Sequence, residues 1–503
     1  MKMRTVTSEL SILFLLLAIA GCGRSETAGN QNTAIVNKAL SDTSSNFYAD
    51  FESYPEEMKS LPIGVFDSGT GGLTVVERIL SLDCFDNITG AQGSDEILDF
   101  AGERFIYLAD QANMPYGTYA SEGKGDYLEE LAVKDAVFLL SDKYYINPYE
   151  DKPSGEKPRV KIIVVACNTA TAYGLKTIES MLSQSGSGVK VIGVINAGVR
   201  AALDQLDLDS AEEPVAVGVL ATPGTISSGA YERTIREELG KTESKADITV
   251  VSQGSYGLAE AVDNEPDFVN RSASEPRSEY RGPQIGTEDG CIDLQLLKAY
   301  NFDFSDNKML VRKNAWGTYT SMQLNDPDNY ARLSIVSLVN RHYLSGSKAK
   351  IKAIILGCTH YPFVLSTLQD AVEELREYRE RDGSFPYKEL LADDIIFIDP
   401  AVYTAIECYR TLRSDGNLAF SIGKEKLDGY ISVPSSKLSD ACLTSEGHLT
   451  YEFKYGRESG TEDVSTKAVP FSDKNIDKEN LSRIKRLLPY TYTLIAPSFN
   501  KEQ

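Results

Sequence analysis

The chain has 503 residues, enough for about two to four domains at roughly 100–200 residues each, so disorder over most of its length is excluded. Its 51 Lys and Arg stand against 73 Asp and Glu, a net charge of −22, and a field of that sign repels nucleic acid and anionic membrane surfaces. Three histidines are poor material for a multi-histidine metal site, which leaves seven cysteines to explain: Cys22, Cys84, Cys167, Cys291, Cys358, Cys408 and Cys442.

The first of them reads as an address. Lys2 and Arg4 precede an apolar run from Leu10 to Ala20 that is too short to span a bilayer and fits the core of a signal peptide. The run ends at Ile19-Ala20-Gly21-Cys22, which resembles a bacterial lipoprotein signal. Residues 1–22 would then be the signal peptide, and cleavage would leave Cys22 as the acylated first residue. An ordinary secretory signal is one alternative, and a cytoplasmic start at Met58 is another. Arg24 to Asn46 is rich in Ser, Thr, Asn and Ala, so residues 23–60 read as a flexible tether and the folded body is expected to begin near Leu61.

The body opens with the apolar run Pro62 to Phe66, which stops at Asp67-Ser68-Gly69-Thr70-Gly71-Gly72. Leu73, Val76, Ile79 and Leu80 then recur at helical spacing. The same strand, polar loop and helix return three times: Lys161 to Ala166 before Cys167-Asn168-Thr169-Ala170, Val215 to Leu220 before Thr222-Pro223-Gly224-Thr225, and Ile351 to Leu356 before Gly357-Cys358-Thr359-His360-Tyr361-Pro362. Short Val/Ile runs alternating with helices argue an α/β fold with largely parallel sheets covered on both faces. The four junctions form two pairs, each ending in a cysteine, which predicts two similar α/β domains with a ligand cleft between them. The expected bounds are 61–190 for the first domain and 191–357 for the second, with an insertion at about 266–350. Residues 358–503 are read as a return to the first domain plus a C-terminal extension. Lys190 to Val194 reads as the crossing, and the helical stretch after Pro362 as the way back.

A cysteine at a strand end just before a helix is placed where its thiolate is favoured. A packed core thiol or half of a disulfide would explain either cysteine alone. Polar company changes that weighting: Asn168, Thr169 and Thr171 follow Cys167, and Thr359 and His360 follow Cys358, where packing has no use for them. Cys358 and His360 could be half of a metal site with Cys167 as a third ligand, but zinc sites normally draw three or four Cys, His or carboxylate ligands and only the short Cys358-Thr359-His360 cluster is visible, so no metal is expected. Cys84, Cys291, Cys408 and Cys442 lack such company and read as core thiols or disulfide partners.

Phe66-Asp67-Ser68-Gly69-Thr70-Gly71-Gly72, Met114-Pro115-Tyr116-Gly117-Thr118, Ala166-Cys167-Asn168-Thr169-Ala170, Thr222-Pro223-Gly224-Thr225-Ile226 and Gly357-Cys358-Thr359-His360-Tyr361-Pro362 together resemble the successive motifs of glutamate racemases, in that family's order, over roughly Pro62 to Arg410. The resemblance implies cofactor-independent two-base racemisation of an acidic amino acid. One thiolate removes the α-proton and the opposite thiol delivers one to the other face, with Cys167 and Cys358 as the pair. It also implies acid/base help from Asp67 and His360, and a glutamate matched by Glu260, although this chain has Ser252-Gln253 where the family motif begins with Cys-Pro. Ser68, Asn168, Thr169 and Thr359 would hold the α-carboxylate and ammonium, and Pro115, Tyr116, Gly117 and Thr118 would close the side-chain end.

The implied role is supply of D-glutamate for peptidoglycan, with no nucleic-acid partner; a homodimer is compatible with the sequence. The alternative is an inactive racemase-like lipoprotein that binds an amino acid or a cell-wall fragment. Cys22 places the chain on a bacterial membrane facing the periplasm, a compartment in which Cys167 and Cys358 would have to stay reduced; a Met58 start would place it in the cytoplasm.

Overall fold

The two segments Ile63–Asp67 (β1) and Ile162–Val165 (β3) are buried along their whole length, as Val/Ile runs must be when both faces of a sheet are covered. In the computed structural model, which describes residues 33–206, 208, 213–242, 248–420, 426–461, 464–476 and 478–499, these strands pair in parallel with each other. They are flanked by Arg104–Ala109 (β2) and Lys190–Gly193 (β4). A second sheet is built from Val215–Ala221 (β5), Ile248–Gly254 (β6), Lys350–Gly357 (β7) and Leu391–Ile398 (β8), in the order β8-β7-β5-β6, all parallel. The protein is therefore α/β with two parallel-sheet domains, and separate apolar clusters cover both faces of each sheet. The signal segment with Cys22 lies outside the described residues.

The chain passes between the sheets twice. Helix Val194–Gln205 leads out after β4 and helix Pro400–Ser414 leads back after β8. The two helices pack together, with Arg200 held bidentately by Glu407 at 2.5 Å. The return thus comes later than the sequence reading placed it. Helix Leu365–Glu377 buries Leu368, Val372 and Leu375 in the second domain's core, and β8 is a strand of the second sheet. Helical spacing reports that a face is buried, not which sheet buries it.

One other segment differs from expectation in the same way. Residues 33–60, read as a tether, carry helix Ala34–Ser41, whose Ile35, Val36 and Ala39 join Phe51 and Met58 in the core under Leu128 and Leu131. A Ser/Thr/Ala-rich composition hid a short amphipathic helix. A chain begun at Met58 would lose these contacts, each large apolar side chain contributing about 1.5–3 kcal/mol. Its denaturant midpoint is expected to fall well below that of a chain begun at Thr33; equal midpoints in urea would show this segment to be dispensable.

The stretch 266–350 carries elements of its own and is built into the second domain. It forms a hairpin of Met309–Lys313 with Tyr319–Leu324, followed by helix Pro327–Leu344, whose Leu333, Ile335, Val336, Leu338 and Val339 are buried against the second sheet. The tail contributes Lys426–Pro434 (β9), parallel to β2, and Thr466–Pro470 (β10), an antiparallel edge, so the first sheet runs β10-β9-β2-β1-β3-β4. Ile484, Leu488 and Ile495 from the last two helices cover its face. Cys84, Cys167, Cys291, Cys358, Cys408 and Cys442 are all free thiols, so no disulfide joins them.

Candidate functional site

Ligands bind at the carboxyl ends of strands in parallel sheets because the loops there open onto a crevice and helix N-termini point at it. Both sheets present such ends to one cavity of about 630 Å³. β1 delivers Asp67 and Ser68, β3 delivers Cys167, Asn168 and Thr169, β5 leads into Thr222 and Thr225, and β7 ends in Cys358, Thr359 and His360. Pro115, Tyr116, Gly117, Thr118 and Glu260 line the same cavity. The structure therefore brings together every site residue read from the sequence within the described chain.

On the first-domain side, Cys167 caps helix Asn168–Ser185, and the Ala170 N–H donates to its Sγ at 3.4 Å. Its thiol lies 3.8 Å from the Ser68 hydroxyl and within hydrogen-bonding contact of Asp67, whose Oδ2 also accepts the Gly72 N–H at 2.6 Å. The helix terminus favours a thiolate, yet burial first, and then the Asp67 charge, push the Cys167 thiol up instead. Burial raises Asp67 as well, against the opposing pull of His360. Cys167 is thus a resting thiol with a carboxylate positioned to take its proton, and the simple expectation of a helix-activated thiolate does not hold.

This arrangement sets a sign. A thiol raised partly by a neighbouring anion carries less thiolate near neutrality, and only the thiolate alkylates. Asp67→Asn is expected to speed alkylation of Cys167 by iodoacetamide at pH 7 and to lower turnover; slower alkylation in that variant would show that the carboxylate activates the resting thiol.

On the second-domain side, Cys358 Sγ lies 3.4 Å from His360 Nδ1. Burial disfavours the charged imidazole, but Cys358, Asp67 and Glu260 outweigh it and raise His360 above its ordinary value. Glu260 itself is pushed up, chiefly by burial. Nearby Glu265 is raised to about 7 by burial and by the Glu260 charge.

The two halves touch at places that admit no extra atoms. A Cβ on Gly71 would lie 2.6 Å from His360 Cε1, and one on Gly224 would lie 2.6 Å from both the Cα and the carbonyl oxygen of Gly117. Thr169 and Thr225 hydroxyls meet across the cleft at 3.1 Å, and the Tyr231 hydroxyl donates to Asn168 Oδ1 at 2.7 Å. That bond orients the Asn168 amide from the opposite domain.

Tyr116 serves the site through its backbone. Its hydroxyl lies 2.5 Å from Asp110 Oδ2 and 2.6 Å from Asp135 Oδ2 in the core. One phenolic proton cannot serve two carboxylates, so Asp135, which burial and the Asp110 charge raise far above the ordinary range, keeps a proton.

Several cavity residues escaped the sequence reading. Asp263 and Glu265 follow Glu260, while Thr444, Leu449, Tyr451, Lys454 and Tyr455 come from the tail. Helix Tyr451–Gly456 sits on the Pro115–Thr118 segment: Lys454 Nζ donates to the Met114 carbonyl at 2.7 Å, and the Tyr455 hydroxyl reaches the Pro115 carbonyl at 3.5 Å. No local pattern marks the tail residues, because their relation to the site exists only once β9 has joined β2. Among the described residues no cluster of three or more His, Cys, Asp and Glu side chains is arranged to hold a metal ion.

Fold and site together define a two-domain α/β protein whose ligand cavity is faced by one strand-end cysteine from each domain. No family model matches the chain. The glutamate racemase of Oceanobacillus iheyensis is 30% identical over 312 residues, 62% of this chain and 72% of that protein. The glutamate racemase of Lactobacillus helveticus is 24% identical over 383 residues, 76% of this chain and 92% of that one. Among solved structures, a glutamate racemase isoform from Bacillus anthracis aligns over 74% of this chain and 88% of its own at 22% identity, with a TM-score of 0.42. The chain belongs to the glutamate racemase family.

Proposed function

We propose that the protein interconverts L- and D-glutamate by two-base proton transfer between Cys167 and Cys358. The carrying observation is that these two thiols, each at the carboxyl end of a strand in a different sheet, face one cavity. A single base returns a proton to the face it left, so inversion needs two groups on opposite sides of the α-carbon. In one direction Asp67 accepts the Cys167 proton, the thiolate removes the α-proton, and the Cys358 thiol protonates the other face as His360 replenishes it. In the reverse direction the roles exchange. Donors fixed in a partly dry cavity stabilise the charge that develops on the substrate carboxylate, and Ser68, Asn168, Thr169 and Thr359 stand there for that purpose.

Lys454 supports an acidic side chain as the substrate. It is a partly buried amine at the Pro115 end of the cavity, bonded to the Met114 carbonyl with donors to spare; burial first, and then Arg457, lower it from the ordinary lysine range. Lys454→Met is expected to raise KM for glutamate about 10-fold or more, the scale of a lost charged hydrogen bond, with a smaller effect on kcat. Incubating the protein, under reducing conditions, with each glutamate enantiomer in deuterated water tests the reading. Inversion with α-deuterium incorporation is expected, and neither inversion nor exchange would overturn it.

We further propose that the chain is exported and lipid-anchored at Cys22, which supports placement at a bacterial membrane facing the periplasm. Because residues 33–60 belong to the fold, the anchor would hold the first domain close to the bilayer. Membrane-fraction labelling by a fatty-acid probe, lost in Cys22→Ser, is expected; a soluble, unlabelled protein would favour the Met58 start.

A further inference from the structure

The reaction proposed above assigns Cys358 and His360 a proton exchange but leaves open what holds the imidazole. His360 follows a strand end by only two residues, and its ring must present one chosen nitrogen to the thiol. Its surroundings can be named from every side. Cys358 and Thr359 lie on its own loop, and Asp67 and Gly71 face it from the first domain. Glu260, Asp263 and Glu265 face it from the segment containing helix Leu258–Val262. Of these carboxylates one makes direct contact: Asp263 Oδ1 lies 3.0 Å from His360 Nε2, both side chains being about 15% exposed (14% and 16%). Asp263 is the residue that ends helix Leu258–Val262, so its backbone is fixed by that helix. Its Oδ1 also meets Nη1 of Arg483, which comes from helix Lys478–Leu487 in the tail.

We infer that Asp263, braced by Arg483 of the C-terminal helix, positions His360 for proton exchange with Cys358. The inference rests on the two-base reading of the same site. A carboxylate 3.0 Å from Nε2 is an ion-pair partner for the imidazolium, without an aligned hydrogen bond, while Nδ1, 3.4 Å from Cys358 Sγ, is the nitrogen placed to exchange the thiol proton. When the proton moves, the imidazolium gains a facing anion, so the thiolate–imidazolium pair is stabilised relative to the neutral pair. Arg483 meets the same carboxylate oxygen and limits its rotation. Asp263 and Arg483 touch His360 or its partner rather than the reacting carbon, so both are positioning residues. The arrangement also gives the tail helix a task beyond covering the first sheet: it reaches across to the second-domain half of the site.

The test uses the full-length protein with Asp263→Asn, which preserves shape while removing charge, and Arg483→Met. Asp263→Asn is expected to lower kcat roughly 10–100-fold, the scale of one acid/base assistant, with KM changed less than threefold. Arg483→Met should give a smaller loss of the same kind. A general loosening would slow both proton transfers alike, whereas a defect on the Cys358 side makes that transfer the slow one. The primary isotope effect on kcat/KM with 2-deuterated glutamate should therefore rise for the enantiomer that Cys358 deprotonates and not for its mirror image. Unchanged kcat, or equal isotope effects for both enantiomers, would overturn the inference.

A substrate-free measurement separates it from the wider reading. In ¹⁵N NMR, the titration of His360 can be followed in wild type and variant, with His360→Gln identifying its resonance among the three histidines. Its pKa should drop by about 1 in Asp263→Asn. If the wild-type protein neither inverts nor exchanges glutamate but this drop appears, the glutamate reading fails and the Asp263–His360 coupling stands. If wild type racemises glutamate and His360 titrates identically in the variant, the coupling fails alone.

Discussion

Replacing either Cys167 or Cys358 with serine is expected to reduce glutamate racemisation by about 10³-fold or more while leaving the fold and glutamate binding in place. A hydroxyl at the same position is a far weaker acid than a thiol, and general acid/base transfer alone contributes about 10²–10⁴-fold. The two variants should not fail identically. With Cys167→Ser, the remaining Cys358–His360 couple can still exchange the α-hydrogen of the enantiomer it faces. With Cys358→Ser, the Cys167–Asp67 couple can exchange that of the other. Proton exchange in deuterated water, followed separately for L- and D-glutamate, should therefore show residual wash-out confined to opposite enantiomers. Either serine variant keeping activity within tenfold of wild type would sink the two-base assignment. The double variant should lose both residual exchanges, which excludes an adventitious base as their source.

The second large effect concerns stability. Lys161 Nζ is buried at the amino end of β3 and is held by Glu103 Oε1 and Oε2 at 2.8 and 2.7 Å, by the Asn417 carbonyl at 2.9 Å and by the Lys59 carbonyl at 3.1 Å. The two charged side chains are 0% and 1% exposed. Removing one member of such a pair leaves a buried charge without a partner, at a cost of about 3–5 kcal/mol, so Lys161→Met should sharply lower the urea midpoint. Burial raises Glu103 above its ordinary range even beside Lys161. Without the lysine it is raised further, and the penalty is full above that pKa and relieved as pH falls through it, because protonation removes the unpaired charge. Equilibrium unfolding of wild type and variant from pH 8 to pH 5 should show the difference narrowing toward acid, and a constant difference would contradict this account. Pairing the change with Glu103→Leu should recover only part of the loss, since Glu103 also accepts the Ala419 N–H. The pair lies at the opposite end of β3 from Cys167, so activity per folded molecule should be unchanged.

Much of this molecule was legible in its sequence because the informative features are local. Val/Ile runs four to eight residues long predict β1, β3, β5 and β7, and the polar residue directly after each run predicts where the cavity opens. What the sequence reading misplaced depends on which surface an amphipathic segment finds. Ile35, Val36 and Ala39 sit in a stretch whose composition reads as a tether. Helix Leu365–Glu377 has the same spacing whichever sheet it covers. β9 and β10 are half polar, and nothing near them in sequence says that β2 has an open edge to receive them.

The site divides along the same line. Cys167, Cys358, Thr169, Thr359 and His360 stood out in the sequence because they sit in strand-end motifs whose polar residues serve no packing purpose, and the resemblance to glutamate racemases is what suggested roles for them and for Asp67. Asp263, Arg483 and Lys454 did not stand out. Their meaning depends on contacts between residues about 100 or more positions apart (Asp263 with His360, Arg483 with Asp263, Lys454 with the Met114 carbonyl): the first forms only when the second domain has folded, and the other two only when the tail has docked. The sequence by itself determined the α/β grammar and the paired thiols. The tertiary structure alone decided that those thiols share one cavity, that Cys167 rests protonated because burial and Asp67 outweigh its helix terminus, and that the C-terminal extension is part of the site.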